Sequence, residues 1–163
     1  MDPAEAPDWL SWLQHSDLAA AVQESPWIYP TAEIVHIIAF VVAVGCLLMI
    51  DLRLIGLGRR IALDLAAGVL LPWAIGAFCL TIPTGILLLL PEATSIARNP
   101  AFLVKMSLML LAGANAVLFH LGPWRGRDRW PLGAPPPSAR LSGGISILLW
   151  LGVIISGRLI AYV

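Results

Sequence analysis

Residues 31–50 read TAEIVHIIAFVVAVGCLLMI, an apolar run that is interrupted only by Glu33 and His36 and that decides the fold class. A run of this length matches the ~20 residues that a helix needs to cross a hydrocarbon core of about 30 Å. Three further runs are long enough to span, at Leu65–Leu90, Ala101–Leu121 and Leu141–Tyr162. None of them alternates apolar with polar residues as barrel strands do. The sequence therefore predicts an all-α integral membrane four-helix bundle over residues 31–163.

The composition excludes the other broad classes of protein. Of the 163 residues, 59% are hydrophobic and 12% are charged, and the charges sum to zero. A soluble domain of this size could not bury so much apolar side chain, and a disordered chain would carry less of it. A nucleic-acid binder needs a basic face, and the seven Trp residues are not interleaved with Lys or Arg. No nucleic-acid partner is expected, and the lipid bilayer is the expected surrounding.

Residues 1–30 form a separate segment ahead of the first span. From Asp8 to Gln23 the apolar residues recur at helical spacing, with Trp9, Trp12 and Leu13 on one side. This pattern is typical of an amphipathic helix that lies in a membrane interface. We therefore expect an interfacial helix within an N-terminal segment on the outer face.

Basic residues are concentrated in two alternate connections of the predicted bundle. The first and third connections hold seven of the ten bases: Arg53, Arg59, Arg60, Arg125, Arg127, Arg129 and Arg140. By the positive-inside rule these connections face the cytoplasm, so both termini are expected in the periplasm of a bacterial inner membrane. The third connection, residues 122–142, is also rich in proline, and its composition predicts a linker that does not pack against the bundle.

Four ionisable residues are expected at one depth near the outer face. At 1.5 Å per residue, His36 and Lys105 lie about 8 Å below the outer ends of their spans, and Arg158 reaches a similar level on the fourth span. Glu33 shares a helix face with His36. Ionisable groups within spans are functional candidates because burying them in hydrocarbon is costly. His120 ends the third span near the opposite face, so it cannot share a cofactor with His36.

Two stretches resemble known membrane proteins. HIIAF at residues 36–40 with Gly45, and NPAFLVKM at residues 99–106 with Phe119 and His120 ending the same span, are similar to the four-helix membrane protoporphyrinogen oxidases of bacteria. The copper-resistance D membrane proteins look like more distant relatives. A more closely similar group is a family of uncharacterised bacterial four-helix inner-membrane proteins, which the chain resembles at Trp27, Tyr29, Pro30, Glu33, His36, Asp51, Leu52, Arg53, Leu54 and Gly56.

The resemblance to the oxidases implies a haem b site at His36 and Lys105. On this interpretation His36 is the axial metal ligand, Glu33 orients its second ring nitrogen, and Lys105 and Arg158 pair with the propionates. The remaining coordination position would be filled by Lys105, by water, by His15 or by a second protomer. The function implied is electron transfer or porphyrin redox chemistry, with a quinone or another redox membrane protein as partner and a homo-oligomer as a possible assembly.

Other interpretations fit the same residues. The four side chains could form the relay of an anion or proton transporter or channel subunit, or the chain could be a structural subunit of a membrane complex. Alternatively, Glu33 could pair with Lys105 or Arg158 only to fix the register of the helices. Whether the protein is an enzyme is left open by the sequence.

Overall fold

The computed structural model describes residues 7–58, 62–130 and 135–163, and this part of the chain is helical without a strand. The α-helices are α1 (Asp8–Gln14), α2 (Asp17–Glu24), α3 (Ile28–Ile55), α4 (Leu63–Leu89), α5 (Ala93–Ile96), α6 (Pro100–Leu121) and α7 (Pro137–Leu159). Short 3₁₀ helices occupy Leu90–Glu92 and Pro123–Arg129. The predicted all-α class is confirmed.

Four of these helices, α3, α4, α6 and α7, are long and apolar enough to cross a membrane. The protein is therefore a multi-pass membrane protein with the predicted four spans. The bounds differ from the predicted limits by up to five residues: α4 and α7 both begin and end earlier than predicted, and α3 extends in both directions past residues 31–50. The reason is that helices continue into the interface, where polar side chains are tolerated and hydropathy no longer marks the end.

Local signals end α3 and start α6. Gly56 adopts a positive φ of 107°, and the N–H of Leu57 donates to the carbonyl of Leu52 at 2.9 Å, a glycine-dependent helix stop. Asn99 caps α6, because its side-chain oxygen accepts from the N–H of Ala101 at 2.9 Å. These signals fix the ends of two helices whose side chains form the site described below.

The four spanning helices pack in the order α4, α3, α7, α6. Extensive contacts join α3 to α4, α6 to α7 and α3 to α7, whereas α4 and α6 have no extensive contact in the described part of the chain. Buried Ala39 and Ala43 lie on α3, the helix shared by two of these interfaces. We call the end at which α3 and α6 begin and α4 and α7 end the upper end. The bundle is thus incomplete on one side, along a gap between α4 and α6.

The opposite, lower end is closed by an apolar cluster of Ile50, Leu54, Leu63, Phe119 and Ala139, with Leu70, Leu71, Trp124 and Trp130 packed against it. The prediction that residues 122–142 do not pack is therefore wrong for the described part of this stretch. Its tryptophans bury apolar surface that the proline and arginine content does not reveal. Residues 131–134 of the stretch lie outside the described residues.

The N-terminal segment lies against the upper end as two short helices instead of the single helix expected over Asp8–Gln23. The chain breaks at Ser16, whose hydroxyl accepts from the N–H of Ala19 at 3.3 Å and caps α2. Ala19 and Val22 then pack on Leu90, next to the end of α4. Trp9 and Trp12 remain exposed, as suits a membrane interface.

Candidate functional site

A cavity of about 820 Å³ lies at the upper end between the four spanning helices. We call it the upper cavity. Its polar and charged lining residues include His36, Thr81, Glu92, Arg98, Asn99 and Lys105. The rest of its wall is largely apolar and includes Phe40, Ile82, Ile86, Phe102, Met106, Met109 and Ile160. An apolar wall with few polar groups is the common form of a small-molecule site.

The imidazole of His36 is held in the upper cavity by α4. Its Nδ1 lies 2.9 Å from the hydroxyl oxygen of Thr84. That hydroxyl donates its own proton to the carbonyl of Leu80 at 2.8 Å. With its proton on the Leu80 carbonyl, the hydroxyl accepts from the ring, an arrangement that assigns the hydrogen to Nδ1 and the lone pair to Nε2. Nε2 is therefore the ring atom that is available as a metal ligand or a base.

Gly85 makes room for the same ring. A methyl group at this position would lie 3.1 Å from Cε1 and 3.6 Å from Nδ1 of His36. The glycine therefore permits the close approach of α4 to the imidazole. Sequence reasoning missed both Thr84 and Gly85, although the stretch TIPTG at residues 81–85 interrupts an apolar span and was the available signal.

Lys105 reaches the upper cavity from α6, and it lies within electrostatic range of His36. Its Nζ is 3.7 Å from the position that a side-chain carbon would occupy at Gly157 on α7. The absence of a side chain there leaves space for the lysine stem. The structure thus brings His36 and Lys105 to one cavity, as the depth count from the sequence expected.

Glu33 and Arg158, the other two predicted site residues, are not among the residues that line the upper cavity. Glu33 is exposed, and in the described part of the chain its carboxylate forms no ion pair with Lys105 or Arg158. Arg158 donates to the hydroxyl of Tyr162 at 2.6 Å, and its guanidinium lies 4.9 Å from that ring. The residue that positions Nδ1 of His36 is Thr84 instead of Glu33, and Arg98 supplies the guanidinium of the cavity wall.

The other two histidines lie outside the upper cavity. His15 is exposed on the N-terminal segment and its Nδ1 donates to the carbonyl of Ser11 at 2.7 Å. The Nδ1 of His120 donates to the carbonyl of Ala116 at 2.8 Å, and its ring lies 5.9 Å from that of Trp124 at the lower end. His36 is thus the histidine that faces the cavity.

One carboxyl group is buried away from the upper cavity. Asp51 on α3 is 7% exposed, and its Oδ2 has no hydrogen-bond partner among the described residues. It borders a small space of about 50 Å³ between α3 and α7 that also includes Trp150. The ring of Trp150 in turn lies 6.2 Å from that of Phe40 in the wall of the upper cavity. Phe40 of the upper cavity and Trp150 of the small space are therefore in aromatic contact.

The described residues contain no group of three or more His, Cys, Asp or Glu side chains that could hold a metal ion. His36 offers a single nitrogen ligand, and Lys105, a cationic group of the same cavity, comes from a different helix. The chain matches no protein-family model, and no curated protein or solved structure shows significant similarity to it.

Proposed function

We propose that this membrane protein binds b-type haem in the upper cavity and serves electron transfer or porphyrin redox chemistry. In this proposal the upper end faces the periplasm of a bacterial inner membrane, as the distribution of arginines predicts. A quinone or another redox membrane protein is the class of partner that fits such a role. Haem supplies one-electron chemistry at its iron when it is bound, and the protein sets ligation and surroundings.

The size and wall of the upper cavity support the proposal. Its volume of about 820 Å³ falls in the range of roughly 300–1,000 Å³ that is typical of cofactor and small-molecule sites. The wall is mainly apolar, with aromatic rings of Phe40 and Phe102 and the thioethers of Met106 and Met109. A flat, largely apolar macrocycle would be shielded from water by such a wall.

The observation that carries the proposal is the 2.9 Å contact between Nδ1 of His36 and the hydroxyl of Thr84. Metal-binding histidines usually donate their second ring nitrogen to a neighbouring oxygen, which fixes the ring and raises the basicity of the ligating nitrogen. Thr84 supplies that oxygen, so Nε2 is left with the lone pair that an iron centre requires. Gly85 allows the ring to approach α4 closely.

Cationic side chains in the same wall suit the acidic groups of haem. Lys105 and Arg98 line the cavity from α6 and from the turn before it. In the proposed site these two side chains bind the carboxylates and thereby orient the macrocycle. In this proposal Arg98, and not Arg158 as the sequence predicted, pairs with a propionate, because Arg98 lines the cavity.

The optical spectrum of the detergent-purified protein, recorded during titration with haem, tests the proposal. We expect one haem per chain, with a Soret band and sharp reduced bands. His36→Ala should lose this spectrum because the imidazole that would hold the iron is removed. His120→Ala is the matched control, since it also removes an imidazole from a spanning helix but lies outside the cavity, and it should bind normally.

A wild-type protein that stays colourless and binds no added haem would contradict the proposal. Equal loss of haem from His36→Ala and His120→Ala would contradict the assigned ligand. A colourless protein that transports an inorganic anion or protons in proteoliposomes would favour the transporter interpretation of the same cavity.

A further inference from the structure

The upper cavity is bordered by exposed apolar side chains on the side where α4 and α6 fail to pack. Ile82 and Ile86 on α4 are 53% and 47% exposed, and Met106 on α6 is 40% exposed. All three line the cavity. They frame the gap between the two helices, which we call the side opening. At this depth in a spanning bundle, the medium outside the side opening is lipid.

The upper rim of the cavity, in contrast, is tied in place. Gln14 accepts hydrogen bonds from the N–H and the hydroxyl of Thr94 at 3.0 and 2.7 Å, which fastens α1 to α5. Asn99 donates to the carbonyls of Ile160 and Val163 at 3.1 and 2.7 Å, which fastens the start of α6 to the end of α7. Side-chain hydrogen bonds thus link α1 to α5 and α6 to α7 at the upper rim, whereas, within the ranges that the structure describes, no extensive contact links α4 to α6 along the side opening.

We propose that the ligand enters and leaves the upper cavity sideways, from the lipid leaflet at the upper end and through the gap between α4 and α6. The ligand class is then a membrane-dissolved amphiphile that carries a carboxylate. The inference rests on the proposed function only in its choice of haem, which is one such amphiphile. The path itself is carried by the missing packing between the two helices.

Charge and polarity within the cavity favour an acidic amphiphile over a neutral one. Lys105 and Arg98 face the space, and Glu92 is the acidic residue in the lining. A carboxylate entering between Ile82 and Met106 would meet these cations while its apolar part remained between apolar walls. Lys105 is half-buried, and a carboxylate partner would stabilise its charge more than that of the exposed Arg98.

The path is tested by the rate at which haem that is dissolved in liposomes loads the reconstituted protein, followed by the Soret band. Ile82→Trp places a large side chain in the side opening. Ile75→Trp is the matched control, because Ile75 lies on the same helix with 55% exposure but does not line the cavity. Ser95→Trp obstructs the upper rim, where Ser95 is exposed and lines the cavity.

We expect Ile82→Trp to slow loading by about tenfold relative to Ile75→Trp, because the barrier to passage is raised; the rate is compared at the haem content that each variant finally reaches. Ile75→Trp should load at the wild-type rate, and Ser95→Trp should load faster than Ile82→Trp because the upper rim is not the proposed path. Slow loading of Ser95→Trp together with normal loading of Ile82→Trp would overturn the proposed path.

A second probe keeps the path testable if the wild-type protein binds no haem. Spin-labelled stearic acid in the same liposomes should give an immobilised electron paramagnetic resonance signal, and its methyl ester should not. Ile82→Trp should reduce this signal, whereas Ile75→Trp should preserve it. Such a result without haem binding would reject the proposed function and support the path, and the absence of an immobilised signal would overturn the path and the ligand class.

Discussion

Replacing Thr84 by valine removes the acceptor that fixes the tautomer of His36 while keeping the shape of the side chain. The 2.9 Å bond to Nδ1 is lost, and the ring N–H is left without that acceptor in a half-buried position. Leaving a buried donor unpaired costs about 1–3 kcal/mol. Removing a group that orients a metal-binding histidine typically weakens binding by about 10–100-fold. We therefore expect Thr84→Val to bind haem 10–100-fold more weakly, by the same estimate.

Thr81→Val is the matched control for this experiment. Thr81 is buried one turn earlier on α4 and lines the same cavity, and its hydroxyl donates to the carbonyl of Phe78 at 2.7 Å. The group of Thr81 that bonds to His36 is its backbone, which the substitution keeps. Haem affinity is measured by optical titration, and the tautomer of His36 by nitrogen NMR of labelled apoprotein. Unchanged affinity and tautomer in Thr84→Val, or an equal loss in Thr81→Val, would refute the assigned role of Thr84.

Three other predictions follow from close contacts and from the arginine distribution. Gly85→Ala should weaken haem binding because its methyl group would lie 3.1 Å from the imidazole, whereas Gly76→Ala, with open space around it, should bind normally in the same titration. Gly143→Ala should lower the free energy of unfolding by about 1–3 kcal/mol through overpacking, since its methyl would lie 3.0 Å from Cβ of Leu54. Gly144→Ala, which meets no atom within 4 Å, should be neutral or stabilising in the same denaturation assay. Finally, a reporter enzyme fused to the C-terminus should be active only as an exported protein, and cytoplasmic activity would reverse the assigned orientation.

The spanning helices were predictable because membrane insertion imposes length and apolarity on each span. The shared depth of His36 and Lys105 was also predictable, because both depths follow from a constant rise per residue along two spanning helices. The helix face that a residue presents to its neighbours depends on how the helices are rotated and packed. For that reason the sequence could place Arg158 at the right level without showing that it contacts Tyr162 instead of the cavity.

The partners of the imidazole were beyond the sequence for a similar reason. Glu33 is close to His36 along the chain, whereas Thr84 is separated from it by 48 positions and reaches it only through the packing of α3 on α4. The packing of the third connection, residues 122–142, also could not be predicted from the sequence. Its proline and arginine content dominates any composition estimate, but the packing of Trp124 and Trp130 depends on an apolar surface that other helices supply.

The chain order of the packed helices divides the candidate site between two hairpins that are synthesised one after the other. His36, Thr84 and Gly85 all belong to the first hairpin, formed by α3 and α4, so the imidazole can acquire its position before α6 has left the ribosome. The second hairpin then contributes Lys105 and the remaining walls of the cavity, and it is joined to the first hairpin through the contact of α7 with α3. Two separately expressed fragments, divided in the stretch before Pro137, would lose the link from α6 to α7. A division between α4 and α6, at residues 93–99, would preserve both hairpins and is the better point for reassembling the protein from two chains.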